Sequence, residues 1–598
     1  MSNFYTDNDD IKFLLEHIDL GEVAEYKEEG FCFADEFDYA PKDRQEAVEN
    51  YKLVLEALGQ LSADFIEPRA EGVDREGPTL NEDGTVTYAK GIRESLDKLA
   101  KADVMGFTLP HRFGGLNFPN VIYSSAIEMV SRADASLMNI FGLQGIAETI
   151  QAYASEEIKQ EYLPKFSAGK VTGAMVLTEP DAGSDLQSVK VKAFQDEDGQ
   201  WYIHGVKRFI TNGCGDVLLV LARSEQRSGG LGLSLFICEK GPTVKIRRLE
   251  DKLGIHGSPT CEIFFDNTPC QLIGERQRGL VTYVMSLMNG ARIGVAGQGL
   301  GVAEAAYRIA RDYAASREQF SVPIEKLPAV RDMVTNMKVD IEAGRALLYE
   351  TSRVVDLEIG LLKKQESNPP EDKDEKKKLK KLSKKYKRYA ALLTPMAKYY
   401  CSEMANRVTY DAIQVLGGSG YMRDYAVERH ARDARIITIY EGTTQLQIVA
   451  AVRGVCNGTA VRYIREIAQL EYEDDLKDLL EKLAEQTDKL EELTGFVKEK
   501  GNEYMDLYGR DIVDIAIALI NGYLFCGQAS TKVDMNVPVP SEDDQPQEIS
   551  VKQRKKIIAR RYIERNAVTI DALIEKVRSG DVSTFKDYPS IAGIVPEQ

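Results

Sequence analysis

The apolar positions of this chain change period along its length. From about Glu46 to Lys170 they recur at three and four, as in Tyr51-Lys-Leu-Val-Leu-Glu-Ala-Leu58 and in Ile127 to Met138, the spacing of one buried helix face. Inside that stretch, Glu71 to Thr87 carries Gly and Asn-Glu-Asp-Gly, which predicts a loop with a turn. At Val171 the pattern switches. To about Asn267 the runs are short and rich in β-branched and aromatic residues: Gln200 to Gly205, Val217 to Ala222, Leu233 to Cys238 and Glu262 to Phe265. That spacing predicts a compact all-β domain. Helical spacing returns near Gly279 and runs to Val455. Beyond Gly458, Leu476, Leu483, Leu490 and Val497 recur every seven, with Leu479 and Leu493 between them. One apolar seam of this kind suits a helix in a bundle. Pro538, Pro540 and Pro546, with Ser541-Glu-Asp-Asp544, predict a flexible linker, and Arg554 to Val577 a last helix.

The expected organisation is therefore an N-terminal extension at 1–45, acidic and aromatic-rich, then a helical domain at 46–170. A central β domain follows at 171–278, a helical bundle at 279–457 and an additional helical domain at 458–598. The fold class is α+β: an N-terminal helical domain, a central β-barrel or sandwich, a C-terminal four-helix bundle and added C-terminal helices. The 598 residues allow about four units at ~150 residues each. A Lys-rich insertion spans 363–388, and its run Lys376 to Arg388 contains no acid. Such runs are usually solvated helix faces or loops; docking to an acidic partner or a phosphate is the other reading.

Charge and composition narrow the function. A net charge of −18 opposes nucleic acid as the main partner. Met1 to Lys12 has no basic region followed by an apolar stretch, and uninterrupted apolar runs such as Ile515 to Ile520 fall short of a bilayer span. Neither a secretory signal nor an integral membrane segment is expected. The eight cysteines are scattered without a CxxC pair, and so are His17, His111, His204, His256 and His430. No disulfide framework or metal site is expected, and a cytoplasmic location is.

Two segments carry candidate chemistry. Met175-Val-Leu-Thr-Glu-Pro-Asp-Ala-Gly-Ser-Asp185 joins strand formers to an Ala-Gly-Ser stretch of little bulk, which lets backbone N–H groups approach a ligand, or serves an ordinary turn. Ile439-Tyr-Glu-Gly-Thr-Thr-Gln-Leu-Gln447 places an acid and small hydroxyl residues between a basic stretch and an apolar helix start. With Phe209-Ile-Thr-Asn212, Gly290-Ala-Arg-Ile-Gly294, Arg317-Glu-Gln-Phe320, Gln414-Val-Leu-Gly-Gly-Ser-Gly420 and Tyr440-Glu-Gly-Thr443, roughly residues 50–455 resemble the acyl-CoA dehydrogenase family of flavoproteins. The added C-terminal domain is similar to the large branch of that family that includes methylthiopropanoyl-CoA dehydrogenase.

The resemblance implies FAD, an acyl-CoA substrate and formation of a 2,3-double bond. Glu441 matches the family's base, which removes the C2 proton while hydride leaves C3 for flavin N5. A minority branch places the base near Gly290-Ala-Arg292, but Met288-Asn-Gly-Ala-Arg292 holds no acid. The backbone N–H of Glu441 and a flavin ribityl hydroxyl would stabilise the thioester oxygen. By the same resemblance Met175, Leu177, Thr178, Gly183, Ser184, Phe209 and Thr211 line the cofactor. Arg317, Phe320, Gln414, Gly417 and Gly418 reach FAD across a subunit boundary, and Thr443 and Gln445 complete that set. Ser184, Arg292, Tyr440, Gly442 and His256 are candidates for the substrate side, with a satisfied structural role the simpler one for His256. Members often have Trp at Phe209, Gly at Ser321 and Gln at Leu327. The implied partners are an electron-transfer flavoprotein and further copies of the chain, as homodimer or homotetramer. Alternatives are an acyl-CoA oxidase using oxygen, and a flavin-containing nucleic-acid-binding stress protein.

Overall fold

The computed structural model describes residues 2–367, 369–540 and 546–595. The chain divides into two compact units, 1–383 with 397–443, and 384–396 with 444–598.

In the first unit the N-terminal extension is structured. Helices Asp9–His17 and Leu20–Lys27 are capped by Asn8 and Asp19, which accept N–H bonds from the first turn. Phe4, Phe13, Leu14 and Leu15 are buried, so the extension is part of the core. Helices from Arg44–Leu61 to Glu156–Ser167 follow. The loop expected at 71–87 starts only after Gly77: Glu67–Glu76 is helical, and the Asn81-Glu-Asp-Gly84 turn joins a short hairpin, Thr79–Leu80 with Val86–Thr87.

The central strands are β1 Gly173–Val176, β2 Lys192–Gln195, β3 Trp201–Thr211, β4 Val217–Arg223, β5 Leu233–Glu239, β6 Val244–Leu249 and β7 Thr260–Ile273. Pairing runs β4-β2-β3-β7-β5 and returns from β5 to β4, a closed ring, with β1 parallel on β4 and β6 antiparallel on β7. Strand β4 explains the uninterrupted run Val217 to Ala222. Leu218, Val220 and Ala222 enter one core with Phe236, Ile263 and Phe265, while Val217, Leu219 and Leu221 enter a second with Ile146, Ile150 and Phe166. A strand buried on both faces loses its polar alternation. Trp201 packs on Phe236, with ring centroids 5.1 Å apart.

Further helices complete this unit: Met285–Ser316, Pro328–Ser367, Lys373–Leu416 apart from its residues 384–396, and Val427–Ile437. The Lys-rich insertion extends two of them. Asp372 caps the second by accepting from the N–H groups of Asp374 and Glu375, and most of its lysines are exposed, as expected of a solvated face. Gly301 marks a close helix crossing: a Cβ there would lie 2.3 Å from the Glu128 carbonyl oxygen, which is backbone and cannot swing aside. Gly301→Ala is expected to destabilise this unit by roughly 1–3 kcal/mol, read as a lower denaturant midpoint of Trp201 fluorescence.

In the second unit Leu476, Leu479, Leu483, Leu490, Leu493 and Val497 are all buried, the seam of helix Lys477–Lys500. Its central helix, Gly509–Ala529, is long and apolar enough to cross a membrane by length and composition, but 83% of its most apolar window is buried inside the protein. The predicted linker is flanked by an antiparallel hairpin, Asn536–Pro540 with Pro546–Ser550, because residues on both sides of it pair; Ser541 to Asp544 lie outside the described residues. Helix Val551–Arg578 covers the expected last helix, and Ser583–Ala592 follows it.

Candidate active site

The turn bearing Glu441 follows helix Val427–Ile437. Glu441 has φ +54°, the left-handed region that side chains with a Cβ enter at a cost. Such strain persists only where its surroundings enforce it. Lys398 supplies one constraint. Its side chain is buried, and Nζ donates to the Gly442 carbonyl at 2.8 Å. Tyr440 supplies another. Its hydroxyl donates to Asn139 Oδ1 at 3.2 Å and to Gln298 Oε1, and Gln298 Nε2 donates to the Ala135 carbonyl and to Asn139 Oδ1, each at 3.0 Å.

Burial pushes the Glu441 carboxyl up to about 7, against the cations Lys398 and Arg292, which favour its charged form. Burial brings Lys398 down to about 7, and the Arg292 guanidinium is also lowered by desolvation. Arg292 donates through Nη1 to Asn289 at 3.0 Å, while its buried Nε has no hydrogen-bond partner. A carboxyl poised near neutrality beside two cations is suited to accept a proton.

The segment 175–184 is held from β3. Lys207, buried, donates to the Leu177 carbonyl at 2.7 Å and pairs with Glu179 at 3.0 Å. Glu179 accepts from the N–H groups of Lys190 and Val191, and the Thr178 carbonyl accepts from the Arg208 N–H at 3.0 Å. This leaves Met175 and Thr178 partly accessible, Leu177 buried, and Gly183 and Ser184 exposed. Between Lys207 and Ile210 the β3–β7 register shifts, and Phe209 adopts φ +62° and is 52% exposed. A bulge of this kind re-aims a side chain that the pleat would turn inward. Thr211, two residues on, is partly buried.

Two further groups are exposed. Arg317 ends helix Met285–Ser316, and Phe320-Ser321 forms the turn of hairpin Glu318–Gln319 with Val322–Pro323. Phe320 is 87% exposed, and both turn residues have positive φ, +53° and +62°. This geometry explains why glycine suits the position of Ser321. Ser321→Gly is expected to stabilise the protein by about 0.5–1 kcal/mol, seen as a higher thermal midpoint. Gln414 and Gly417-Gly418 end helix Lys373–Leu416. Gly417 has φ +61°, and open space surrounds the place where a Cβ would sit on either glycine. Tyr313 joins the two groups, its hydroxyl 3.3 Å from Ser419 Oγ.

Thr443 is partly buried after Gly442, and Gln445 is exposed in the first turn of helix Thr444–Cys456. His256 lies elsewhere, its ring nitrogens on Asp74 Oδ1 at 3.0 Å and the Lys252 carbonyl at 2.8 Å, with Arg432 also on Asp74. These contacts satisfy it structurally. Lys398, Lys207 and Glu179 escape the sequence reading. For Lys398 the usable signal is a single Lys inside Thr394-Pro-Met-Ala-Lys-Tyr-Tyr-Cys401, where a solvated helix face would carry several polar residues.

Three family models match in order along residues 49–455: the acyl-CoA dehydrogenase N-terminal domain at 49–170, the middle domain at 174–268 and the C-terminal domain at 278–365 and 380–455. A further model, acyl-CoA dehydrogenase C terminal, matches 456–536. The chain belongs to the acyl-CoA dehydrogenase family. It is 34% identical over 431 residues to the 3-methylmercaptopropionyl-CoA dehydrogenase of Ruegeria pomeroyi, covering 67% of this chain and 69% of the relative. Butyryl-CoA dehydrogenase from Megasphaera elsdenii superposes with a TM-score of 0.57 at 31% identity, covering 67% of this chain and 96% of that one. An acyl-CoA dehydrogenase from Bacillus anthracis, solved with FAD, shares the fold over 92% of both chains, with a TM-score of 0.72 at 21% identity. This acyl-CoA dehydrogenase family enzyme therefore shares its overall fold with a relative across its added C-terminal region as well.

Proposed function

We propose that this chain is an FAD-dependent acyl-CoA dehydrogenase in which Glu441 removes the C2 proton of an acyl-CoA thioester and leaves a 2,3-enoyl-CoA. The observation that carries the reading is the Glu441 carboxyl, desolvated, beside Lys398 and Arg292, on a turn tied down at Gly442 and Tyr440. The residues assigned to the cofactor fit it. Phe209 offers an accessible apolar ring, Gly417 and Gly418 leave backbone open to a pyrophosphate, and the Lys207 clamp fixes the backbone of Leu177 and Thr178. Met175, Thr178, Gly183, Ser184 and Thr211 would flank the isoalloxazine and pyrophosphate. Arg317, Phe320, Gln414, Thr443 and Gln445 would serve the FAD of a second copy. When bound, FAD supplies the acceptor for the C3 hydride.

The chain's own contribution is proton chemistry and orientation. Glu441 in its anionic form takes the C2 proton, and its backbone N–H is the donor for negative charge developing on the thioester oxygen. Tyr440, fixed through Gln298 and Asn139, keeps the carboxylate at one address, and Ser184 and Arg292 are placed for the substrate side. The exposed Phe320 and Tyr421, 87% and 79%, favour a homodimer or homotetramer that covers them, which light scattering would read as two or four chain masses.

The test is an anaerobic titration of the flavin-loaded protein with butanoyl-, octanoyl-, isobutanoyl-, cyclohexanecarbonyl-, 3-phenylpropanoyl- and 3-methylthiopropanoyl-CoA. Bleaching of the flavin absorbance by at least one thioester, with reoxidation by an electron-transfer flavoprotein faster than by oxygen, is the expected result. Oxygen uptake matching turnover would make the protein an oxidase, and a chain that takes up no flavin would end the reading.

A further inference from the structure

We propose that Lys398 is a positioning residue for this reaction: its ammonium fixes the Glu441–Gly442 turn through the Gly442 carbonyl and holds the neighbouring carboxyl in its basic form. The inference rests on the reading of Glu441 as the base.

The geometry starts from a lysine where helices rarely keep one. Lys398 lies in helix Lys373–Leu416, between Met396-Ala397 and Tyr399-Tyr400, with its side chain fully buried. A buried ammonium is tolerated only when paired. Its ammonium donates to the Gly442 carbonyl at 2.8 Å, and a neutral carbonyl does not balance a charge. The balance comes from carboxylates. Glu441 interacts electrostatically with Lys398 and favours its charged form, with Glu403 adding to it and Arg292 opposing. The cations that act electrostatically on Glu441 are Lys398 from helix Lys373–Leu416 and Arg292 from helix Met285–Ser316. Tyr440, from the same turn, is pushed up by burial first and by the Glu441 charge second.

The two effects of Lys398 are separable. The carbonyl bond is mechanical: it holds the residue after Glu441, and so helps keep Glu441 at φ +54°. The charge is electrostatic: it lowers the cost of an anionic Glu441 in a desolvated site. With both groups brought by burial to about 7, they titrate as a pair, and the first proton leaves the pair at lower pH than it would leave Glu441 alone. Arg292 also favours the charged form of Glu441, but its effect is smaller than that of Lys398.

The experiment uses the flavin-loaded enzyme and the thioester that bleaches fastest in the panel above. The rate of flavin reduction at subsaturating substrate is followed against pH for the wild type, Lys398→Gln, Lys398→Met and Lys398→Arg. Gln keeps a donor for the Gly442 carbonyl without charge, Met removes both, and Arg keeps the charge. The acid limb is expected to move up by about one unit or more in the Gln and Met variants. That is about a tenfold loss below the limb, with recovery at high pH in Gln. The Arg variant is expected to keep the wild-type limb.

A uniform loss at every pH with an unmoved limb, or an Arg limb displaced as far as the Gln limb, would overturn the proposal. If the Met variant does not fold, the Gln and Arg pair decides. Glu441→Gln separates this inference from the reading beneath it. Full activity in that variant removes both, whereas an inactive Glu441→Gln with a Lys398→Gln limb superposed on the wild type removes only the role of Lys398.

Discussion

Glu441→Gln is expected to retain FAD and to lose flavin reduction by acyl-CoA by roughly 10²–10⁴-fold, the usual contribution of a general base. The substitution keeps the size of the side chain and the backbone N–H, so the turn held by Lys398 and Tyr440 should persist. What disappears is the group that accepts the proton, together with a negative charge that favours the protonated form of Lys398. Because burial sets the Glu441 carboxyl at about 7, the wild-type rate should rise with pH through that region and level off above it. Stopped-flow bleaching of the flavin, with the visible spectrum confirming cofactor content, measures both effects. Wild-type reduction rates in Glu441→Gln would move the base elsewhere.

Arg345→Met is expected to cost about 3–5 kcal/mol of stability, the usual result of stranding buried charges. Arg345 is fully buried and binds three carboxylates: Glu128 at 2.6 Å, Asp10 at 2.5 Å and Glu304 at 3.0 Å. They come from helices Asn120–Ala133, Asp9–His17 and Met285–Ser316, so one guanidinium fastens the N-terminal extension to two helices of the core. Arg308 shares Glu304 at 2.8 Å and also reaches Asp7, which Arg132 binds at 2.7 Å.

Removing Arg345 takes from Glu128, already raised by burial, the cation that opposes that shift, so its folded pKa rises further above the unfolded one. The folded state then binds more protons, and the variant should gain stability as the pH is lowered toward 5. The wild type behaves oppositely at Glu304, which its cations hold well below its ordinary value. That stability is present above about pH 4.5 and is lost as the pH falls further. Trp201, the only tryptophan, reports unfolding of this unit, and guanidinium midpoints at pH 5 and pH 8 test both sign and size. A variant within about 1 kcal/mol of the wild type would show that the cluster is stabilised by other means.

Periodicity carried the coarse fold because it reflects burial directly. The β-rich runs after Val171 form the closed ring, and the heptad-spaced leucines of helix Lys477–Lys500 are all buried. It failed where the signal was short or ambiguous. The extension at 1–45 alternates acids with aromatics, and only its burial against other helices, with Asp10 on Arg345, makes its helices worthwhile. The proline-rich stretch near 540 reads as a linker by composition, yet its flanks pair as strands.

For the site, local motifs drew attention to Glu441, Phe209, the 175–184 segment and the glycines at 417 and 418, because the backbone geometry at each depends on its own neighbours in sequence. They could not supply Lys398, Lys207 or the Gln298–Asn139 pair beneath Tyr440, which act from far along the chain. The sequence by itself determined the α-β-α order, the family and the identity of a carboxylate on a Gly-containing turn. Only the tertiary structure decided what that carboxylate experiences. Burial and two cations from distant helices set its charge, and desolvation, unlike residue type, is a property of the packed fold.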